Sequence, residues 1–155
     1  MFKYIGSISS GTMRSEDLIS EFADVLRNLA NDAAPVRFTG EPDPNHVKLC
    51  DEADALEDYD SDDAEYILDE LMIALNEYAP DYFYFGTHPG DGADYGFWIV
   101  DDVAQCVKDD GGLIVSDTSE VPDDYTDIVL DINDHGNTTL YSADNGKLSE
   151  IWAVV

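Results

Sequence analysis

The sequence predicts an α+β fold: an antiparallel β-sheet, with a C-terminal meander, and two main helices packed on it. Apolar residues recur at helical spacing from Leu18 to Leu29 and again from Ala64 to Tyr78. Three short strand-like segments close the chain, two of them divided by Asn145-Gly146, a strong hairpin signal. A chain of 155 residues with 44% hydrophobic content suits a single domain, 1–155, with a core of its own.

The elements follow in order. A short strand is expected at the start of Met1–Ile8. Ser15, followed by Glu16 and Asp17, reads as an N-cap with acids in the first turn, opening a helix to about Asn31. Pro35, Gly40, Pro42 and Pro44 make 33–45 an irregular connection, and 47–60 is ambiguous between short helix and loop. Asp62 with Glu65 fits a capping box, so a second helix runs from there and ends before Pro80. Its apolar face is Ala64, Ile67, Leu68, Leu71, Leu75 and Tyr78; its other face carries acids, with Tyr66 and Ile73 among them.

Beyond it, 82–85 and 95–100 read as strands joined by a loop over 86–94. Asp101 and Asp102 can cap a short helix through Lys108 that Gly111 closes; Asp109 and Asp110 sit at its end, where the dipole disfavours them. Leu113–Val115 is a strand candidate, and 127–132, 138–142 and 150–155 form the meander.

Charge separates this chain from an ordinary α+β domain. Asp and Glu number 35 against 7 Lys and Arg, a formal net charge of −28. No basic residue lies between Lys48 and Lys108, an interval holding 17 carboxylates. Such charge opposes compaction, so it calls for an explanation outside the fold. It argues against direct binding to nucleic acid or to an anionic membrane and for basic proteins as partners. No apolar run approaches the roughly 18 residues of a membrane span, and the opening residues lack the pattern of a secretory signal. Cys50 and Cys106 make no disulfide framework, so the host-cell cytoplasm is the expected compartment.

A dense anionic surface resembles the nucleic-acid backbone. At one charge per 1.7 Å of duplex, the 17 carboxylates match about 29 Å of DNA. Helix positions three and four apart have Cβ atoms about 5–6 Å apart, near the separation of neighbouring phosphates. The expected partner-binding set is Asp51, Glu52, Asp54, Glu57, Asp58, Asp60, Asp62, Asp63, Glu65, Asp69, Glu70, Glu77 and Asp81, with Tyr66 and Ile73 as apolar anchors. The competing explanation is adaptation to high salt, which also yields Asp-rich, Lys-poor surfaces. It would leave the whole surface acidic and the fold dependent on salt.

Chemistry has one other candidate. His88, Asp91 and Asp94 in the Gly-rich loop would serve an enzyme or a small-ligand site as an acid/base or metal cluster. The loop lacks the Lys and Ser/Thr of a P-loop, and its glycine spacing is no dinucleotide fingerprint. The plainer expectation is a tight hairpin whose Asp side chains serve local N–H groups. Asp58-x-Asp60-x-Asp62 and Asp131-x-Asn133-x-His135 both fail the calcium-loop pattern. His46-x-x-x-Cys50 has no completing zinc pair, so no metal and no cofactor is expected. Cys106 reads as a packed thiol, and Trp98 and Trp152 as core.

The stretch Tyr84-Phe85-Gly86-x-His88-Pro89-Gly90-Asp91-Gly92-Ala93-Asp94-x-Gly96-Phe97-Trp98 resembles uncharacterised acidic proteins carried by bacteriophages and plasmids. Gly6-Ser7-Ile8-Ser9-Ser10-Gly11-Thr12-Met13-Arg14 and the closing hairpin are similar to that group as well. The resemblance implies a mobile-element setting, where acidic inhibitors of restriction and CRISPR nucleases occur, but brings no catalytic residues. The expectation is therefore a non-enzymatic DNA mimic of anti-restriction or anti-CRISPR type. Its partner would be a nuclease, CRISPR effector, repair protein or nucleoid protein, and a homodimer would lengthen the anionic track.

Overall fold

The computed structural model describes residues 4–32 and 43–154, and the fold is α+β, with four helices and seven strands in two sheets. The strands are β1 (Gly6–Ser10), β2 (Phe83–His88), β3 (Asp91–Ile99), β4 (Leu113–Val115), β5 (Asp127–Ile132), β6 (Thr138–Asp144) and β7 (Lys147–Val154). The helices are α1 (Ser15–Asp32), α2 (Pro44–Asp54), α3 (Asp62–Glu77) and α4 (Val103–Asp109), with one 3-10 turn at Thr118–Glu120. The chain divides into two compact units, one of residues 6–98 and one that takes in the chain from Ile99 onward.

In the first unit an antiparallel sheet of order β1-β3-β2 carries the helices. Helix α1 packs on β1, α2 and α3, and α3 packs on β2. Phe22 holds the layers together: fully buried, it meets Phe85 edge-on with ring centroids 5.0 Å apart and Tyr95 at 5.5 Å. Leu18, Ile19, Leu26, Leu71 and Leu75 complete this core, each burial adding roughly 1.5–3 kcal/mol. Gly96 is demanded by sheet geometry, since a Cβ there would run into the Gly6 carbonyl across β1–β3.

Several expected boundaries move, each for a local reason. Ser15 is the first residue of α1 rather than its cap: the Arg14 carbonyl accepts the Asp17 and Leu18 N–H groups. The ambiguous stretch after Val47 lies in helix as far as Asp54, and α2 starts at Pro44 because Asp43 accepts the Asn45 N–H at 2.8 Å. Most of the expected irregular connection, 33–42, lies outside the described residues. Ser61, not Asp62, caps α3: its hydroxyl accepts the Ala64 N–H at 3.2 Å and donates to the Asp58 carbonyl at 2.7 Å. The expected loop over 86–94 shrinks to Pro89-Gly90, and its flanks become strand.

The second unit is a mixed sheet of order β4-β5-β6-β7. The expected meander is β5-β6-β7, antiparallel throughout, with Asp144 opposite Lys147 across a two-residue turn. Asn145 and Gly146 both have positive φ, 49° and 73°, as an Asn-Gly hairpin turn requires. Strand β4 adds in parallel to β5, with Leu113 beside Val129. Neighbours Val129 and Leu130 are both fully buried, so both faces of β5 are covered. Helix α4 packs on β4 and β5.

Candidate functional site

Of the thirteen acids that the sequence singled out, twelve lie on α2, the turn 55–61 and α3, and Asp81 follows α3. Of the thirteen, twelve are exposed and Glu70 is half-buried. Asp51, Glu52 and Asp54 crowd the C-terminal turn of α2, the negative end of its dipole, and that turn carries no basic residue of its own. Asp62, Asp63 and Glu65 occupy the first turn of α3, where the dipole favours acids. Their cost is therefore unequal: the α2 set is locally unfavourable and the α3 set is not.

Cation partners of the thirteen are few among the described residues. Lys48 reaches Glu52 at 2.7 Å, one turn on, and Arg27 of α1 reaches Asp54 at 2.6 Å while also holding Asp24. Both cations titrate above their ordinary values, chiefly through those hydrogen bonds to Asp54 and Glu52. Pairs this exposed add little to stability, because solvent and salt screen them. His46, buried at the start of α2, places Nε2 3.4 Å from Glu77 and Nδ1 3.0 Å from the Tyr78 hydroxyl. Burial, ahead of the nearby Asp43 and Glu77 charges, raises the Tyr78 phenol. The other ten carboxylates have no cation within ion-pair distance among the described residues.

Tyr66 and Ile73 are 61% and 58% exposed, so no described segment buries them. Both line a cleft of about 400 Å³ between α2 and α3, with Leu49 and Ala74 as further apolar lining and Asp43, Glu52, Glu70 and Glu77 as its acids. Glu16, held by Arg14 at 2.8 Å, shares a depression with Glu57, Asp58 and Asp60. The cleft is the feature that sequence reasoning missed. Its signal was present in the His46, Leu49, Ala53 spacing of α2, but the intervening acids masked it.

The hairpin residues behave differently. His88 Nδ1 accepts the Gly90 N–H at 3.0 Å and the ring meets Trp98 edge-on at 4.7 Å. Asp91 accepts the Ala93 N–H at 2.9 Å, and Asp94 accepts the Ser7 hydroxyl at 2.5 Å. Each side chain is engaged by its own neighbour. Among the described residues no group of three or more His, Cys, Asp or Glu is arranged to hold a metal. His46 and Cys50 share α2, but the Cys50 thiol points to the Ala23 carbonyl at 3.5 Å, and burial raises its pKa. The second calcium-like segment is a turn: Asn133 accepts the His135 and Asn137 N–H groups. Trp98 and Trp152 are half-buried rather than core, and Trp98 donates to the Gly86 carbonyl. Cys106 is likewise half-buried, its thiol 3.6 Å from Asp102.

No helix among the described residues is long and apolar enough to cross a membrane. No family model, curated protein or solved structure matches the chain.

Proposed function

We propose that this protein is an acidic DNA mimic that occupies the cationic groove of a nucleic-acid-binding protein in the host cytoplasm and keeps it from its nucleic acid. One observation carries the reading: thirteen carboxylates on α2, the following turn, α3 and, at Asp81, just beyond it, ten of them without a cation partner among the described residues, beside two exposed apolar side chains. Helix α3 alone spans about 24 Å at 1.5 Å per residue, which is about seven base pairs of duplex at 3.4 Å each. A partner built to displace counterions from DNA gains similar attraction here. The mobile-element resemblance suits a restriction or CRISPR nuclease as the target.

The test is competition. Immobilised protein is offered a panel of basic DNA-binding proteins with and without a short duplex. Retention of one that the duplex displaces, weakening steeply with salt, is the expected result. Absence of any retention at low ionic strength would overturn the reading.

Adaptation to high salt draws on a different observation. The second unit also exposes acids, among them Asp109, Asp110, Asp123, Asp124 and Asp144. That reading requires the fold to be lost in dilute buffer, whereas a mimic keeps it, and thermal unfolding at low and high salt separates them.

A further inference from the structure

The cleft between α2 and α3 has the form of a seat for a helix, and we infer that its occupant is a basic amphipathic helix of the partner. This inference rests on the proposed function and specifies which element of the partner is bound. Asp63, Tyr66, Glu70, Ile73 and Glu77 follow one another at spacings of three, four, three and four. That is the seam spacing of a helix-on-helix contact. Along it, acidic layers alternate with apolar ones: Asp63, Glu70 and Glu77 against Tyr66 and Ile73.

The seam has an open side. Ile67 and Ala74, one position further round α3, are buried, whereas Asp69 and Asn76 on its other flank are exposed. Helix α2 supplies the second wall, with Asn45, Leu49 and Glu52 lining the cleft at spacings of four and three. Two parallel ridges with a trough of about 400 Å³ can accept one row of side chains from a third helix.

Charge fixes the kind of helix. The cleft holds Asp43, Glu52, Glu70 and Glu77, and its Lys48 is already held on Glu52. A fitting helix therefore places Leu or Ile against Tyr66 and Ile73 and Arg or Lys against Asp63, Glu70 and Glu77. Tyr66 also offers a ring face to an Arg stem or guanidinium. A DNA-reading helix has this character, and the major groove that it normally enters is likewise about one helix wide. On this inference the protein copies a groove as well as a line of charge.

The experiment uses a labelled synthetic peptide of about three heptads whose seam alternates Leu and Arg. A control peptide has the same composition with Leu and Arg on opposite faces. Fluorescence anisotropy with the full chain should show the seam peptide binding at least tenfold tighter. Tyr66→Ala with Ile73→Ala should erase that margin, while Asp123→Asn with Asp124→Asn, exposed in the second unit, should change it less than twofold. Circular dichroism checks that both variants fold; the substituted side chains are exposed or in a turn. Equal binding of the two peptides, or a margin that survives Tyr66→Ala with Ile73→Ala, overturns the groove. Duplex competition run alongside tests the mimic separately. Competition without a peptide margin sinks the groove alone, and a margin without competition sinks the mimic and the partner assignment that rests on it.

Discussion

The α2–α3 face and the β2–β3 hairpin are both acidic, yet their carboxylates live differently. In the hairpin, Asp91 and Asp94 each accept from a donor within the unit, the Ala93 N–H and the Ser7 hydroxyl. On the helical face, Asp51, Glu57, Asp63, Glu65 and Asp69 have neither an ion pair nor a side-chain hydrogen bond among the described residues. A carboxylate that answers a backbone donor contributes to the fold. One that answers nothing leaves its charge available to a partner. Acid content alone does not separate the two; local donors do.

Removing the free charges should have the largest effect on binding. Replacing Asp51, Glu57, Asp60, Asp63, Glu65 and Asp69 together by their amides should weaken retention of a basic DNA-binding protein by about 100-fold or more at low salt and flatten its salt dependence. The same variant should melt higher than the parent, because self-repulsion falls. An unchanged affinity would show that the face is bystander surface.

Gly96→Ala tests the other region through the sheet beneath it. A side chain there meets the Gly6 backbone, so a loss of about 3 kcal/mol in urea unfolding is expected, with β1 detached from β3. Smaller effects then sort individual carboxylates and their donors. Ser61→Ala should cost about 1 kcal/mol through the lost cap, and Asp62→Asn much less, since Asp62 makes no capping bond. Asp94→Asn should likewise cost about 1 kcal/mol while leaving partner binding unchanged.

The smallest effect lies in the second unit. Asp117 accepts from the Ser119 hydroxyl and N–H, which hold its carboxyl below the ordinary value. Its contribution is present above the ordinary carboxylate range and is lost as pH falls through the depressed value. Asp117→Asn should therefore make the acid limb of the stability curve less steep.

Much of this was legible in the sequence because its causes are local. The spacing of Leu18, Phe22, Val25, Leu26 and Leu29 sets α1, and Asn145-Gly146 sets the β6–β7 turn through two positive φ angles. The exposure of Tyr66 and Ile73 also agrees with their place among acids on the polar face of α3. Helix α2 stayed ambiguous because Asp51, Glu52 and Asp54 blur its apolar period and oppose its dipole, so its stability depends on the Asp43 cap and on burial of His46, Cys50 and Ala53 against neighbouring elements. The hairpin looked like a loop because Gly and Asp disfavour strands, yet pairing of Ser10 with Asp94 and Ser9 with Tyr95 overrides that preference.

By itself, the sequence determined the fold class, the two long helices, the closing meander and the size of the negative charge. These depend on residues a few positions apart and on composition. Tertiary structure alone decided that α2 runs beside α3 and leaves a cleft between them, and that β4 joins the meander in parallel. It also gave the hairpin acids donors and left most of those of the helical face without a cation partner among the described residues. Such outcomes depend on which distant side chains come within a few ångströms, and no local preference encodes that.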